Sequence, residues 1–122
     1  MSKQEIKIIT KIVRELTLFF MLYGHHQIGI ETNYESDKVT FTVRLNTIDA
    51  DVLKEVKDKI SRERELEIET YGWELVGDID SKSGLEILGH LIDELKTREE
   101  SDHVVLTFIR KNRYKSKKGP RL

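Results

Sequence analysis

Histidine and aspartate supply the most visible candidates for chemistry in this sequence. His25 and His26 are adjacent, so their side chains point apart in a strand or a turn, and no further ligand lies close by in sequence. Asp78 and Asp80 stand in a polar loop that lacks the spacing and the terminal glutamate of an EF-hand. We therefore expect no metal site, and we interpret the histidine pair as part of a surface turn and the aspartate pair as part of a flexible loop.

Glu15, in the first predicted helix, is a candidate for a relic general base. The simpler interpretation is a solvent-facing helical residue beside Lys11 or Arg14. His90 and His103 have no partner that the sequence identifies, and we expect each to be a surface residue or a satisfied core residue. No complete catalytic motif emerges, so the sequence predicts a protein that is not an enzyme and uses no cofactor.

Two aromatic side chains, Tyr71 and Trp73, are candidates for binding a partner, because such residues are enriched at binding hot spots. Packing into the core is the more common fate of a lone tryptophan. The glutamates between positions 63 and 74 form an acidic stretch that is typical of a solvated face. The same stretch could attract a basic partner or the basic end of this chain.

The last 13 residues form a basic tail. Residues 110–122 hold seven of the 21 basic residues and no acidic one, which leaves 14 bases against 22 acids in residues 1–109, a net charge of −8. The tail is interpreted as a flexible, solubilising end, as a phosphate-binding segment over 110–121, or as a contact with an acidic partner. No other segment of the sequence forms a basic face, so protein binding ranks above nucleic acid. The candidate contact residues are Arg113, Tyr114 and Lys115.

Composition predicts one small cytoplasmic domain with no membrane association. The chain has 122 residues, enough for a single hydrophobic core, and no cysteine, which suits a reducing compartment. The longest near-apolar run, residues 16–23, is far shorter than the roughly 20 residues that a membrane span requires. We expect a single domain over residues 1–109, followed by the tail at 110–122.

Periodicity indicates which elements position these residues. Apolar side chains recur at intervals of three and four over 4–23, which predicts a helix whose last two turns are buried all round and which stops at Gly24. Two alternating runs, 27–34 and 38–45, joined by a short polar link predict an antiparallel hairpin with one buried face.

The second half of the chain is less regular. A second helix is predicted from near Asp49 to residue 60, and the spacing over 68–79 suggests a further one. Ser83 and Glu86 form a capping box that predicts a last helix reaching Leu95, followed by a charged turn over 97–102. The apolar run 104–109 then predicts a strand inside a sheet. The fold class is α+β, a two-layer sandwich in which helices cover one face of a mixed or antiparallel sheet.

This order of elements resembles the histidine-kinase-type ATPase superfamily, and most closely its bacterial anti-sigma-factor serine kinases. Residues 83–95 (SGLEILGHLIDEL) are similar to the family's glycine-rich turn and following helix, and 104–109 (VVLTFI) to its final strand. Residues 14–25 (RELTLFFMLYGH) resemble its metal-binding helix. The resemblance covers about residues 8–110 and implies a histidine-kinase-ATPase-like fold.

The positions that carry this family's chemistry are occupied by other residues here. Phe19 stands where the family places a magnesium-holding asparagine, four residues after Glu15, and a phenyl ring cannot coordinate a hard cation. The family's adenine-reading turn falls near Leu45 to Asp49, including Asn46, where no glycine is present and no aspartate stands at the required position. In the glycine-rich turn Gly84 remains, but Glu86 replaces the second glycine and would repel a triphosphate. We expect that ATP binding has been lost.

The resemblance therefore implies a non-catalytic regulatory or protein-interaction domain with a degenerate nucleotide site. Its working surface would be the former nucleotide face or residues 62–80, and a homodimer through residues 16–23 or 68–76 is an expected partner arrangement. Two other functions stay open. One is a divergent ATP-binding serine kinase of the anti-sigma type, and the other is nucleic-acid binding through residues 110–121.

Overall fold

The computed structural model describes residues 2–60 and 88–112, which form an α+β domain. Helix α1 spans Lys3–Leu22 and is followed by the strands β1 (Ile28–Tyr34) and β2 (Lys38–Leu45). Helix α2 spans Ala50–Ile60, and after a helical segment at 88–91 the strands β3 (Glu94–Glu99) and β4 (Val104–Lys111) complete the described chain. The predicted first helix, hairpin, second helix and last strand are all confirmed.

The four strands form one open antiparallel sheet in the order β1-β2-β4-β3. Ile28 pairs with Leu45 at one end of the first hairpin, and the Glu35 N–H donates to the Lys38 carbonyl at its turn. Strand β4 lies between β2 and β3, as the apolar run 104–109 predicts, with Phe108 beside Phe41. The sheet therefore has two edges, β1 and β3.

Helices cover one face of the sheet, giving a two-layer sandwich. The alternate residues of β2 that face the helices are buried, and they pack with the apolar stripes of α1 and α2 and with the segment 88–92. Burial of these apolar side chains is the main source of stability for a domain of this size. The β2 contributors are Val39, Phe41, Val43 and Leu45.

Strand β3 is the element that the sequence analysis missed. Leu95 continues the helical spacing of the preceding leucines, yet the helical segment ends at residue 91 and Leu95 lies in β3 opposite Phe108. The predicted charged turn over 97–102 is also wrong, because Thr97 pairs with Leu106 and the turn occupies residues 100–103. Lys96 and Arg98 lie on the side of this edge strand that faces away from the core. Charged residues that the sequence assigned to a turn therefore form the outward side of a strand.

The end of α1 is less buried than its composition predicts. Met21 and Leu22 are each 59% exposed, whereas Leu16 and Phe20 on the inner side are fully buried. Gly24 has a positive φ of 91° directly after the helix, as predicted for a left-handed stop, and its N–H donates to the Met21 carbonyl. The last turns of α1 thus leave apolar surface uncovered.

The predicted boundary of the basic tail falls inside the sheet. Strand β4 continues to Lys111, and Arg110 is 1% exposed, so two of the seven tail bases are part of the folded domain. The possible helix over 68–79, the loop aspartates Asp78 and Asp80, the capping box and the rest of the tail lie outside the described residues.

Candidate functional site

Glu15 is buried on the inner side of α1, which contradicts the prediction of a solvent-facing residue. Its side chain is 1% exposed and forms an ion pair with Arg14, while its Oε1 atom has no hydrogen-bond partner among the described residues. Burial raises the pKa of the Glu15 carboxyl, and the neighbouring charges of Arg14 and Lys11 act in the opposite direction. Arg14 and Lys11 do lie beside it, as the sequence suggested.

Phe19 lies about one helical turn after Glu15, on the same side of α1. It is completely buried and contacts Phe20 edge-on, with ring centroids 5.0 Å apart, and Tyr23, with centroids 4.7 Å apart. The Tyr23 hydroxyl donates to Glu55 on α2 at 3.1 Å, so this cluster also joins the two helices. Burial, together with the Glu55 carboxylate, raises the pKa of Tyr23.

Asn46 and Asp49 lie on the connection between β2 and α2. The hydrogen bonds described for these two residues do not involve Glu15. The Asn46 side-chain amide donates to Gln27 Oε1 at 2.9 Å. Asp49 is exposed, and its carbonyl accepts the Leu53 N–H at 3.0 Å at the start of α2. The contact of Asn46 thus joins two residues at one end of the sheet, and the contact of Asp49 lies at the start of α2.

An open depression lies at the end of the sheet where β1 and β4 begin and β2 ends. We call this depression the end cleft. It has a volume of about 660 Å³ and is widely open to solvent. Its lining contains no carboxylate, whereas three other depressions between described residues are each lined by acids and bases together. The lining residues are His26, Gln27, Ile28, Gly29, Arg44, Leu45, Asn46 and His103.

Two of the four histidines line the end cleft, and the other two lie elsewhere. His26 lines the end cleft, while the adjacent His25 packs edge-on against Phe20 with ring centroids 5.6 Å apart, so the two side chains do point apart. His103 also lines the cleft, and its Nδ1 atom lies 2.7 Å from Asp102 Oδ1. His90 is partly buried in the helical segment 88–91. His26 and His103 line the same cleft because the sheet brings the starts of β1 and β4 to one end.

The outer face of the sheet is basic, a feature that the sequence analysis excluded. The strand register places five basic residues on this face against Glu31 and Glu94. They come from three strands separated along the chain, so no local charge run identifies them. The five are Lys38, Arg44, Lys96, Arg98 and Lys111.

Seven of the predicted site residues lie outside the described residues: Tyr71, Trp73, Gly84, Glu86, Arg113, Tyr114 and Lys115. Within 2–60 and 88–112, no group of three or more histidine, aspartate or glutamate side chains is arranged to hold a metal ion. In those same ranges neither helix has the length and hydropathy of a bilayer-crossing segment.

Comparison with profiles of known protein families, with curated proteins and with solved structures gives no match for this chain. The geometry of the described residues is therefore the basis for any functional argument.

Proposed function

We propose that the chain is a non-catalytic regulatory or protein-interaction domain, built on a histidine-kinase-ATPase-like fold whose nucleotide site has been lost. The order of α1, a hairpin, α2 and a terminal strand is compatible with that origin, and the resemblance of residues 14–25 and 83–95 suggests it. This proposal rests on sequence resemblance together with the packing of α1.

The observation that carries the proposal is the burial of Phe19. A cation bound between a nucleotide and this helix needs an oxygen ligand at that position, with room for the ion and its waters. Phe19 instead packs against Phe20 and Tyr23 with no exposed surface, and the Tyr23 hydroxyl is engaged by Glu55. Replacing a ligand by a buried ring removes both the oxygen and the space.

Glu15 supports the same conclusion. A general base needs access to a substrate, yet this carboxylate is enclosed and paired with the guanidinium of Arg14. Its raised pKa is accounted for by burial alone. Perturbed carboxyl groups also occur in purely structural settings, so the shift is no argument for catalysis.

Thermal unfolding with and without Mg-ATP tests this proposal. A ligand that binds only the folded state raises the melting temperature, so we expect no stabilisation through α1. A rise of several degrees that Glu15→Gln or Glu86→Ala abolishes would contradict the proposal and favour the divergent serine kinase. Both variants are needed, because Glu86 tests the glycine-rich turn and Glu15 tests α1.

The surface proposed for a partner is the uncovered end of α1. The exposed large apolar side chains of the described chain all lie on α1 or on the edge strand β1: Ile6, Met21, Leu22 and Tyr34. Met21 and Leu22 are neighbours and are the most exposed of these. Exposed apolar surface at a domain edge is typical of interaction sites.

Sedimentation velocity tests the homodimer form of this proposal. If two copies associate through α1, Leu22→Lys should shift the chain to the monomer, while Gln4→Lys at the exposed opposite end of the helix should leave the association unchanged. A wild-type chain that stays monomeric at high concentration would exclude the homodimer and leave only a different partner protein.

A further inference from the structure

The end cleft combines positive charge, amide donors and an absence of carboxylates, which is unusual for a body with a net charge of −8 over residues 1–109. Its volume of about 660 Å³ lies within the range of small-ligand sites, although its lining is more polar than most of these. A polar lining of one charge sign suits a small charged group better than an apolar ligand.

Arg44 is the anchor of this cleft. It is exposed at the end of β2 and has no hydrogen-bond or ion-pair partner among the described residues. The facing residue on β1 is Gly29, and a Cβ atom there would lie 3.7 Å from Arg44 Cβ, so glycine keeps the space beside the arginine stem open. A guanidinium presents its donors in a planar fork that matches phosphate and carboxylate oxygens.

The amide groups of the cleft are arranged for an anion. The Asn46 side-chain amide donates a hydrogen bond to Gln27 Oε1. This oxygen would otherwise repel a negatively charged ligand. The Gln27 amide N–H groups then remain for a ligand. Each side-chain amide carries two donors, so the pair offers more donors than its own hydrogen bond uses.

His26 and His103 complete the lining. They come from the residues before β1 and before β4, on either side of the Arg44 strand. Asp102 Oδ1 lies 2.7 Å from the Nδ1 atom of His103, and the Nε2 atom of that ring donates to a ligand only when both ring nitrogens carry a proton. Asp102 itself is 84% exposed and is not part of the lining.

We propose that the end cleft is a binding site for a phosphate group. A carboxylate is planar and one arginine fork satisfies it, whereas a tetrahedral phosphate accepts donors from several directions. The Arg44 guanidinium at the end of β2 and the Gln27 amide before β1 offer donors from different directions, which matches the second arrangement. The end cleft lies at a sheet end and uses no residue of α1, and it shares only Leu45 and Asn46 with the positions of the proposed former nucleotide site.

NMR titration of the full chain with inorganic phosphate at constant ionic strength tests this site. We expect saturable shifts of the signals of residues 26–29, 44–46 and 103. Arg44→Gln should weaken binding about tenfold or more, because it removes a charge-assisted pair of hydrogen bonds. Acetate should bind more weakly than phosphate.

Arg98→Gln is the matched control. Arg98 occupies the same row of the outer face, since Arg44 and Arg98 both flank Val105, but it pairs with Glu100 and does not line the cleft. We expect phosphate affinity within about twofold of wild type in this variant. An equal loss in both variants, or shifts spread over the whole outer face, would overturn the proposal in favour of diffuse electrostatic attraction.

O-phosphoserine is the second ligand of the experiment and separates the two sources of the phosphate group. Tighter binding than inorganic phosphate would assign the site to a phosphorylated side chain, and equal or weaker binding would assign it to free phosphate. The proposal is overturned if neither compound produces saturable shifts in the cleft while the melting temperature shows that the chain is folded.

Discussion

Arg110 and Glu5 are 105 residues apart in sequence and form a two-point ion pair inside the domain. Arg110 Nε donates to one Glu5 oxygen at 2.9 Å, and a terminal guanidinium nitrogen donates to the other at 3.1 Å. The second terminal nitrogen donates to the Leu91 carbonyl at 2.9 Å. One buried side chain on β4 thus links the first turn of α1 to the end of the helical segment 88–91.

Arg110→Met should destabilise the domain strongly. The Arg110 side chain is 1% exposed and Glu5 is 18% exposed, so removing the guanidinium leaves a largely desolvated carboxylate and an unpaired carbonyl. We expect a loss of about 3 kcal/mol in the free energy of unfolding, measured by urea denaturation.

The exposed pair of Lys54 and Asp58 provides the control, since Lys54 is 77% exposed. Lys54→Met should change the free energy of unfolding by no more than about 0.5 kcal/mol. Equal changes in the free energy of unfolding for the two substitutions would show that the buried Arg110 ion pair stabilises the domain no more than an exposed one.

Glu15→Gln should stabilise the domain more at neutral pH than at acid pH. Burial raises the pKa of the Glu15 carboxyl in the folded state above its usual value of 4.5. The contribution of the Glu15 carboxyl to the free energy of unfolding is therefore complete below its usual pKa of 4.5. It is lost as the pH rises through the raised pKa of the folded state. Glutamine does not titrate, so it avoids this loss.

Urea unfolding of both proteins at about pH 3.5 and about pH 7 measures the difference. The advantage of Glu15→Gln should grow with pH. Glu31→Gln, at an exposed position on β1, is the control and should show no comparable gain. An advantage that is independent of pH would contradict a buried, titrating carboxyl at Glu15.

Gly89→Ala should destabilise the domain although alanine favours helix. A Cβ atom at this position would overlap the backbone carbonyl oxygen of Lys59 at the end of α2, and backbone cannot move aside cheaply. We expect a net loss of at least about 1 kcal/mol, measured by thermal unfolding. Gly29→Ala meets only an ordinary contact with Arg44 and should change stability by no more than about 0.5 kcal/mol.

The sequence predicts most of the described fold because its signals are local. Alternation at Val39, Phe41, Val43 and Leu45 identifies the buried face of β2, and the three-and-four spacing of α1 identifies its stripe. Strand β3 shows no such alternation, because Leu95 is its only large apolar residue. Its identity comes from pairing with β4, which is a non-local interaction.

The candidate sites depend even more on tertiary contacts. Glu15 lies on the flank of the apolar stripe, where a sequence cannot distinguish a covered glutamate from an exposed one. In the sequence Arg110 is the first residue of a basic run, so it is assigned to the tail. Its partner Glu5 is 105 residues away and is identified only by the structure. The end cleft joins Arg44 and His103 only through the β2–β4 register, so no motif could reveal it.

The central claim is that α1 no longer contributes to a nucleotide site, and amide NMR spectra recorded with and without Mg-ATP test it most directly. We expect no change in the signals of Glu15, Phe19 and their neighbours on α1, while changes confined to the end cleft would report only the phosphate group. Saturable changes along α1 that Glu15→Gln removes would contradict the claim.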